Sequence, residues 1–266
     1  MTFQPVLPLS GIAGWALLKR TLPAQQAAFA QSPSLRRDEA AFRDRIGQIT
    51  TADALIADRQ VLSVALGAYG LDGDIANKAF LRKVLDEGTL AADALANRLA
   101  DKAYRSFSAT FGFGDFAVPR TVLSDFPDKV LERYRTLRFE AAVGQQNEDF
   151  RLALNAEREL ADLAGRGLGD DAAWFTIMGS PPLRKVFEVA LGLPSRFGTL
   201  DIDRQLQVFR DKAADRLGIT GISDFADRGV TDRLITRFLG QAALAAGPSA
   251  STPGAAALQI LSGRSA

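Results

Sequence analysis

The sequence contains neither cysteine nor histidine among its 266 residues. Without cysteine there is no disulfide, no thiolate nucleophile and no thiolate-type zinc or iron–sulfur site. Without histidine there is no side chain whose unperturbed pKa suits proton transfer near neutral pH, and the commonest transition-metal ligand is missing. Ser–His–Asp and Cys–His mechanisms are therefore excluded. We expect a protein that is not an enzyme and that carries no cofactor or metal.

An excess of charge of one sign is missing too. The 32 basic residues nearly balance the 31 acidic residues, which leaves a net charge of +1. Proteins that bind nucleic acid need a basic surface to neutralise phosphates. The composition therefore does not favour nucleic acid as a partner.

Long apolar runs are absent, because no stretch approaches the roughly 18 uncharged apolar residues of a membrane-spanning helix. The first twenty residues are largely apolar, but their basic residues, Lys19 and Arg20, follow the apolar part instead of preceding it. No cleavage pattern of small residues follows them. We expect no secretory signal peptide, and a protein that is cytoplasmic or leaves by a route that needs no such signal.

Apolar residues recur at helical spacing along almost the whole chain. Leu55, Leu62, Leu66 and Tyr69 share one helical face, and Thr51 is placed to cap that helix. Strand-like alternation is nowhere sustained. The chain is 47% hydrophobic, which is enough for a sizeable core. The predicted fold is all-α, a compact multi-helix bundle.

Further helices follow from the same spacing and from end signals. Leu95, Leu99, Ala103 and Phe107 predict one helix, and Gly88 is placed to end the helix before it. The other predicted helices cover 128–144, a segment capped by Asn147, a segment that starts with Ser180 and two prolines, and segments near 201–219 and 223–246.

A weak internal similarity divides the chain. The stretch 61–75 resembles 186–202, and Asp93, Asp101 and Phe107 match Asp224, Asp232 and Phe238 at one constant offset. Duplication explains the similarity, and so does chance likeness between helical sequences. Duplication predicts two helical halves, 1–118 and 119–246, packed together. Residues 247–266 are rich in Ala, Ser, Gly and Pro and predict a flexible tail, unless the apolar stretch 257–261 docks on a partner or on the domain.

The stretch "GLDGDIANKAFLRKVLDEG", residues 70–88, invites comparison with a calcium loop. With Gly73 at the sixth position of an EF-hand loop, Ala79 stands at the twelfth position, where a bidentate Glu is required. Only Asp72 is left as a plausible carboxylate ligand. We interpret the stretch as a turn between two helices, in which Asp74 or Asn77 caps the second helix.

Three arginines are the candidate site residues. Arg133, Arg135 and Arg138 lie close together with acidic neighbours, which is typical of a solvated helix face but also of an anion or partner site. The carboxylate pairs at 170–171 and 201–203 stand at predicted helix starts, where acidic residues are common. Both tryptophans are interpreted as core or interface anchors.

Four ordered stretches carry a family resemblance. They are "GWALLKRTLPAQQAAF", "LIADRQVLSVALGAYGLDGDIANKAFLRKVLDEG", "LANRLADKAYRSFSATFGF" and "YRTLRFEAAVGQQNEDFRLALNAERELADLA". With these stretches the chain resembles the bacterial family of domain of unknown function 1217. The resemblance implies a helical fold, and it implies association with flagellar genes in some members. It implies no catalytic residue.

The leading functional hypothesis is a non-catalytic structural or protein-interaction protein of flagellum assembly or motility. It would have a protein partner and would lie in the cytoplasm or in the flagellum, exported without a secretory signal. The alternative is a protein that binds a small molecule or anion, or a carboxylate-dependent enzyme. The alternative predicts a deep cavity with convergent polar groups.

Overall fold

The computed structural model describes residues 3–246, and within them the fold is all-α, as predicted, with no β-strand. The α-helices of this part are α1 Gly11–Ala30, α2 Pro33–Ile46, α3 Ala52–Ala57, α4 Arg59–Gly67, α5 Lys78–Glu87, α6 Leu95–Arg98, α7 Ala103–Phe111, α8 Phe126–Gly144, α9 Glu148–Gly165, α10 Asp170–Gly179, α11 Pro181–Ala190, α12 Ile202–Leu217 and α13 Arg228–Ala245. Short 3₁₀ helices lie at Asp72–Asp74, Arg120–Val122, Ser195–Thr199 and Ile222–Ala226.

The buried apolar side chains form two cores. The first core is built by α2 to α5, by α7 and by the start of α8. Phe107, Phe111 and Phe126 pack edge to face or tilted within it. The second core is built by α9 to α13, with Trp174, Phe187 and Phe209 at its centre. Burying large aromatic side chains supplies much of the stability of such cores.

Helix α8 belongs to both cores. Val130 and Tyr134 in its first half are buried in the first core, and Phe139 and Val143 in its second half are buried in the second core. Because one rigid helix carries both patches, the two cores are held side by side.

Helix α1 packs on the second core although it comes first in the chain. Trp15 and Leu18 are buried there, and the ring of Trp15 lies 6.0 Å from that of Phe150. Phe29, near the end of α1, contacts both cores. Trp15 and Trp174 are thus core residues, as predicted. The division of the chain into two helical halves, 1–118 and 119–246, stays a prediction.

The predicted duplication also remains a prediction, but its two marker stretches occupy similar places. The stretch 61–75 covers α4 and the following 3₁₀ helix, and 186–202 covers α11 and the 3₁₀ helix after it. Helix α4 packs on α2, and α11 packs on α9. The predicted tail, 247–266, lies outside the described residues.

Asp58 divides a segment that was predicted as one helix into α3 and α4. Its carboxylate accepts hydrogen bonds from the backbone N–H groups of Gln60 and Val61, each at 3.1 Å. An aspartate that bonds to nearby backbone groups competes with the continuous helix. The predicted apolar face is nevertheless buried, from Leu55 to Tyr69.

The predicted helix through Leu95, Leu99 and Phe107 is interrupted in the same way. Helix α6 ends at Arg98, and Asp101 accepts a hydrogen bond from the N–H of Ala103 at 2.8 Å as α7 begins. Leu95 and Leu99 are only half-buried, whereas Phe107 is fully buried. A continuous helix was therefore the wrong expectation at this point.

Several predicted helix ends are confirmed. Thr51 caps α3 by accepting from Ala54 N–H at 3.1 Å, and Asn147 caps α9 by accepting from Phe150 N–H at 3.0 Å. Gly88 follows α5 with a φ of 66°, a backbone conformation that favours glycine. No helix within residues 3–246 is long and apolar enough to cross a membrane.

The cap of α4 generates a stability prediction. Replacing Asp58 with Ala removes both cap bonds and the 2.6 Å ion pair with Arg45. We expect the free energy of unfolding to fall by about 1–2 kcal/mol. Asp58→Asn keeps an acceptor for the cap and should lose less. Urea denaturation measures both changes.

The matched control is Asp53→Ala on the neighbouring helix α3. The Asp53 side chain is 70% exposed and pairs with Arg82 at the surface. Its loss should cost under about 1 kcal/mol. Equal losses for the Asp53 and Asp58 variants would contradict the role of the cap.

Candidate functional site

A cleft of about 350 Å³ opens where the two cores meet. The first part of the chain lines it with residues from 67–72 and 101–106, and the second part lines it with Thr176 and with 179–183. Helices α8 and α9 complete the cleft. A volume in this range is ordinary for a small-molecule site.

Helix α9 presents one polar stripe to the cleft. Arg151, Asn155, Arg158, Glu159 and Arg166 all border the cleft. Their spacings of three, four, seven and eight residues place them on one side of the helix. The opposite side of α9 faces the second core with apolar residues. The helix is therefore amphipathic, and part of its polar side lines the cleft between the cores.

An arginine–glutamate pair stands at the centre of this meeting point. Arg158 donates to Glu140 of α8 through Nε at 2.8 Å and through Nη2 at 3.1 Å, and it also donates to Glu159. Glu140 is only 6% exposed. Burial by itself would lower the pKa of the Arg158 guanidinium, but hydrogen bonds and attraction from Glu140 and Glu159 raise the pKa above its ordinary value.

Asn155 lies one turn before Arg158 and is 8% exposed. None of residues 3–246 donates a hydrogen bond to its Oδ1 atom. Leaving a buried acceptor without a partner costs about 1–3 kcal/mol. Buried polar groups in folded proteins are nearly always paired, so an exception requires an explanation.

The three predicted site arginines have different surroundings. Arg135 makes a two-pronged pair with Glu39, at 2.5 and 2.6 Å, and Arg138 pairs with Asp72 at 3.2 Å. Arg133 alone of the three borders the cleft. The structure therefore does not bring the three guanidinium groups together at one site. Whether they bind an anion or a partner remains a prediction.

A backbone carbonyl and an aromatic ring, both neutral, hold the Arg133 side chain in place. Its Nε donates to the carbonyl of Ala68 at 2.7 Å, and its guanidinium lies 4.7 Å from the centre of the Tyr69 ring. Among the described residues no carboxylate forms an ion pair with Arg133, and none accepts from its Nη atoms. Its charge is therefore left without a carboxylate at the wall of the cleft.

The stretch 70–88 contains the turn between α4 and α5, as predicted, and then α5 itself. Asp72 pairs with Arg138, and Asp74 accepts hydrogen bonds from the Tyr104 hydroxyl at 2.6 Å and from Asn77 at 2.7 Å. Asn77 stands at the start of α5, but its side chain does not cap the helix. The prediction that Asp74 or Asn77 caps α5 was therefore wrong, because both side chains bond to other side chains.

The two carboxylate pairs are also engaged. Asp170 and Asp171 both pair with Arg210 of α12. Asp201 caps α12 by accepting from Asp203 N–H at 2.9 Å. Each pair stands at a helix start, where a carboxylate complements the helix dipole.

A second surface of interest lies on two adjoining loops of the first core. Large apolar side chains are exposed there, and we call this set the apolar loop surface: Leu90, Phe116, Val118, Val122 and Leu123. Leu90 is 73% exposed and Val118 is 67% exposed. Grouped exposed apolar side chains mark interaction sites more often than single ones do.

Hydrogen bonds hold these loops in place. The Asp115 carboxylate accepts from the N–H groups of Thr89 at 2.5 Å and Leu90 at 3.0 Å, and from the Thr89 hydroxyl at 2.8 Å. Burial raises the pKa of Asp115, but these bonds prevail and lower it below its ordinary value. A Cβ atom at Gly114 would collide with the carbonyl of Asp86, so glycine permits this close approach.

Sequence reasoning missed Glu140, Asn155 and Arg158. The feature of the sequence that could have revealed them is that they are polar residues on helices with many buried apolar residues. Reasoning also missed the apolar loop surface, whose signal was the apolar run "FAVPRTVL" outside any predicted helix. In both cases the sequence shows whether the residues are polar or apolar, but only the packing shows which residues lie next to them.

The fold defines the class, an all-α protein in which one helix joins two cores. The model of the family described as "Protein of unknown function (DUF1217)" matches residues 68–230, which is more than half of the chain, and the chain belongs to that family. The predicted resemblance is thus confirmed. The matched segment includes the apolar loop surface and all of the cleft except Gly67.

The fold is also similar to a crystal structure of protein AGR_C_984 from Agrobacterium tumefaciens. The TM-score is 0.72 at 23% sequence identity, and the match covers 90% of this chain and 97% of that chain. At this identity the similarity shows the fold alone. No curated protein matches the chain in sequence.

The Glu140–Arg158 pair generates the prediction for this site. Glu140→Leu leaves the half-buried Arg158 without its main partner. We expect the free energy of unfolding to fall by about 3–5 kcal/mol. The double variant Glu140→Leu with Arg158→Met removes both charges and should recover much of that loss. Denaturant unfolding of the full chain measures these values.

Glu148→Leu is the matched control. Glu148 pairs with Arg151 on the same helix, but its side chain is 58% exposed. An exposed pair contributes under about 1 kcal/mol. The interpretation fails if the Glu140 and Glu148 variants lose similar stability, or if the double variant is the least stable.

Proposed function

We propose that this protein is a non-catalytic interaction protein that binds a partner protein through the apolar loop surface. The observation that carries the proposal is the ordered exposure of Leu90, Phe116, Val118, Val122 and Leu123 on loops held by Asp115. A preformed apolar surface loses little conformational entropy on binding, which favours affinity.

The charges around this surface suggest what the partner presents. Asp115 is occupied by three hydrogen bonds. The guanidinium of Arg120 lies 4.9 Å from the centre of the Phe116 ring, so it covers an apolar side chain. The surface therefore offers mainly apolar contacts, with the Arg120 cation beside Phe116. Its matching partner is the apolar face of an amphipathic helix, for which uncharged contact is favourable.

Two further observations support a role without catalysis. The chain has no histidine or cysteine to act as base or nucleophile. Asp170 and Asp171 are paired with Arg210, and the Asp201 carboxylate accepts a backbone N–H at the start of α12, so none of the three is a free carboxylate. Flagellum assembly or motility is the proposed setting, and its support is the family resemblance of the sequence.

The test replaces Leu90, Val118 and Leu123 with Ser in the full chain. These side chains are exposed, so the variant should fold with unchanged stability. We expect the variant protein to capture no partner from a lysate of the native host. We also expect the variant gene not to restore motility to a deletion strain, whereas the unaltered gene restores it. Pull-down with mass spectrometry and a swimming assay measure these outcomes.

A control variant replaces Val6, Leu9 and Leu244 with Ser, three exposed apolar residues outside the two loops. It should keep both the partner and motility. The proposal is wrong if the loop variant behaves like the unaltered protein, or if both variants fail equally. A captured species that proves to be a second copy of the chain also contradicts a separate partner.

A further inference from the structure

An open groove of about 570 Å³ lies between the last turn of α12 and the exposed face of α13, apart from the cleft between the cores. We infer that this groove binds a phosphate monoester group, which carries about −1.5 to −2 at neutral pH. The groove lies beside the second core, whereas the apolar loop surface lies on the first core. The inference therefore does not depend on the proposed protein interaction.

One continuous face of α13 forms most of the groove. At spacings of three and four residues, this face carries Arg233, Thr236, Arg237, Gly240 and Gln241. The other side of the helix is apolar and is buried in the second core. No atom lies within 4 Å of the place that a Cβ atom at Gly240 would occupy, so the groove is open at this position. The exposed face thus offers guanidinium, hydroxyl and amide donors to a ligand.

Two guanidinium groups from different helices meet at the end of α11. Arg237 of α13 donates from Nε to the carbonyl of Ala190 at 2.7 Å. The Nη1 atom of Arg216 of α12 lies so near Gly192 that a Cβ atom there would be 2.9 Å from it. Arg233 stands one turn before Arg237 on the same face of α13. The three cations therefore surround the same part of the groove.

No carboxylate neutralises these cations. Among residues 3–246, no carboxylate forms an ion pair with Arg216, Arg233 or Arg237. Residues 1–2 and 247–266 contain no Asp or Glu, so they have no such side chain to offer. Like charges one turn apart destabilise a helix. A bound anion offsets that repulsion, and guanidinium groups suit the oxygen atoms of a phosphate.

The charge balance favours a dianion. The groove is lined by three basic residues and one acidic residue, Asp232. The carbonyl end of α11 adds roughly half a negative charge. Four other charged residues of α12 and α13 lie within five positions of these residues, and their charges cancel: Asp211, Lys212, Asp215 and Arg228. An excess of roughly one to two positive charges remains, which matches a phosphate monoester better than a monoanion.

The experiment titrates the full chain with phenyl phosphate at constant ionic strength, by isothermal titration calorimetry and thermal unfolding. We expect binding at about millimolar concentration or below and a higher unfolding temperature. Dimethyl phosphate, a monoanion, and phenol, which is neutral, should each bind at least about threefold more weakly. Binding should also weaken as the pH falls through about 6, where the monoester takes up a proton. The chain has no histidine that would titrate in this range.

A lipid headgroup and a soluble molecule can both carry this group, and vesicles distinguish them. Phosphatidylcholine vesicles are compared with and without phosphatidic acid, whose headgroup is a phosphate monoester. Cosedimentation that requires both phosphatidic acid and Arg233 supports the site and identifies a lipid as the source. Binding of phenyl phosphate without cosedimentation supports the site and identifies a soluble ligand.

Two variants test the assigned cations. Arg216→Gln and Arg233→Gln should each weaken phenyl phosphate binding about three- to tenfold. Both side chains are exposed, so the unliganded unfolding temperature should stay equal or rise as the repulsion falls. A merely structural arginine would give a lower unfolding temperature instead. Arg204→Gln is the matched control, because Arg204 is an exposed arginine of α12 that lies outside the groove and bonds to Gln207.

Four results would overturn the inference. The first is no heat and no thermal shift with phenyl phosphate, together with no vesicle binding that requires phosphatidic acid. The second is binding of dimethyl phosphate as tight as that of phenyl phosphate. The third is unchanged affinity in both the Arg216→Gln and Arg233→Gln variants while circular dichroism shows that they are folded. The fourth is an equal loss of affinity in Arg204→Gln, which would show attraction to net charge without a site.

Discussion

Helix α8 buries one end in each of two hydrophobic cores. The relative placement of the other helices depends on this shared helix. Tyr134 and Val130 pack with the first core, and Phe139 and Val143 pack with the second, on a single helix of 19 residues. A helix of this length spans roughly 28 Å, so the cores sit side by side along it. Helix α1 reinforces the arrangement by crossing back to the second core through Trp15 and Leu18.

Two cores on one helix leave a boundary, and several polar side chains line it. Helix α8 contributes Arg133 and Glu140 to the cleft at this boundary, and α9 contributes Asn155 and Arg158. Desolvating charge is unfavourable unless it is paired. Glu140 and Arg158 satisfy that condition by pairing with each other, whereas Arg133 has only neutral neighbours as partners among the described residues. The boundary is thus both the joint between the two cores and a cavity with a polar wall.

The apolar loop surface arises from a different cause. The loops around Gly88 and Gly114 approach so closely that only glycine fits, and Asp115 joins them through backbone donors. Phe116 and Val118, which follow Asp115 in the chain, are exposed. The exposed apolar side chains thus lie on loops that are joined to each other by the hydrogen bonds of Asp115.

Most helices could be predicted, because apolar spacing and end signals act locally. Asn147 bonds to the N–H group three residues on, and Gly88 supplies the positive φ at the end of α5, whatever the rest of the chain does. The helix breaks at Asp58 and Asp101 were not predicted. Each depends on the aspartate side chain accepting a hydrogen bond from a nearby backbone N–H group instead of from water. Nor could the pairing of Arg135 with Glu39 be predicted, since 96 residues separate them in sequence.

By itself, the sequence determined the helical class, the family and the exclusion of histidine and cysteine chemistry, because composition and local periodicity carry that information. The tertiary structure decided which polar residues line the cleft together. Arg133, Arg135 and Arg138 are neighbours in sequence, yet only Arg133 borders the cleft, and its neighbour there, Asn155, comes from another helix. A helix turns by about 100° per residue, so neighbours in sequence face different surroundings, and only packing brings together the faces of two helices.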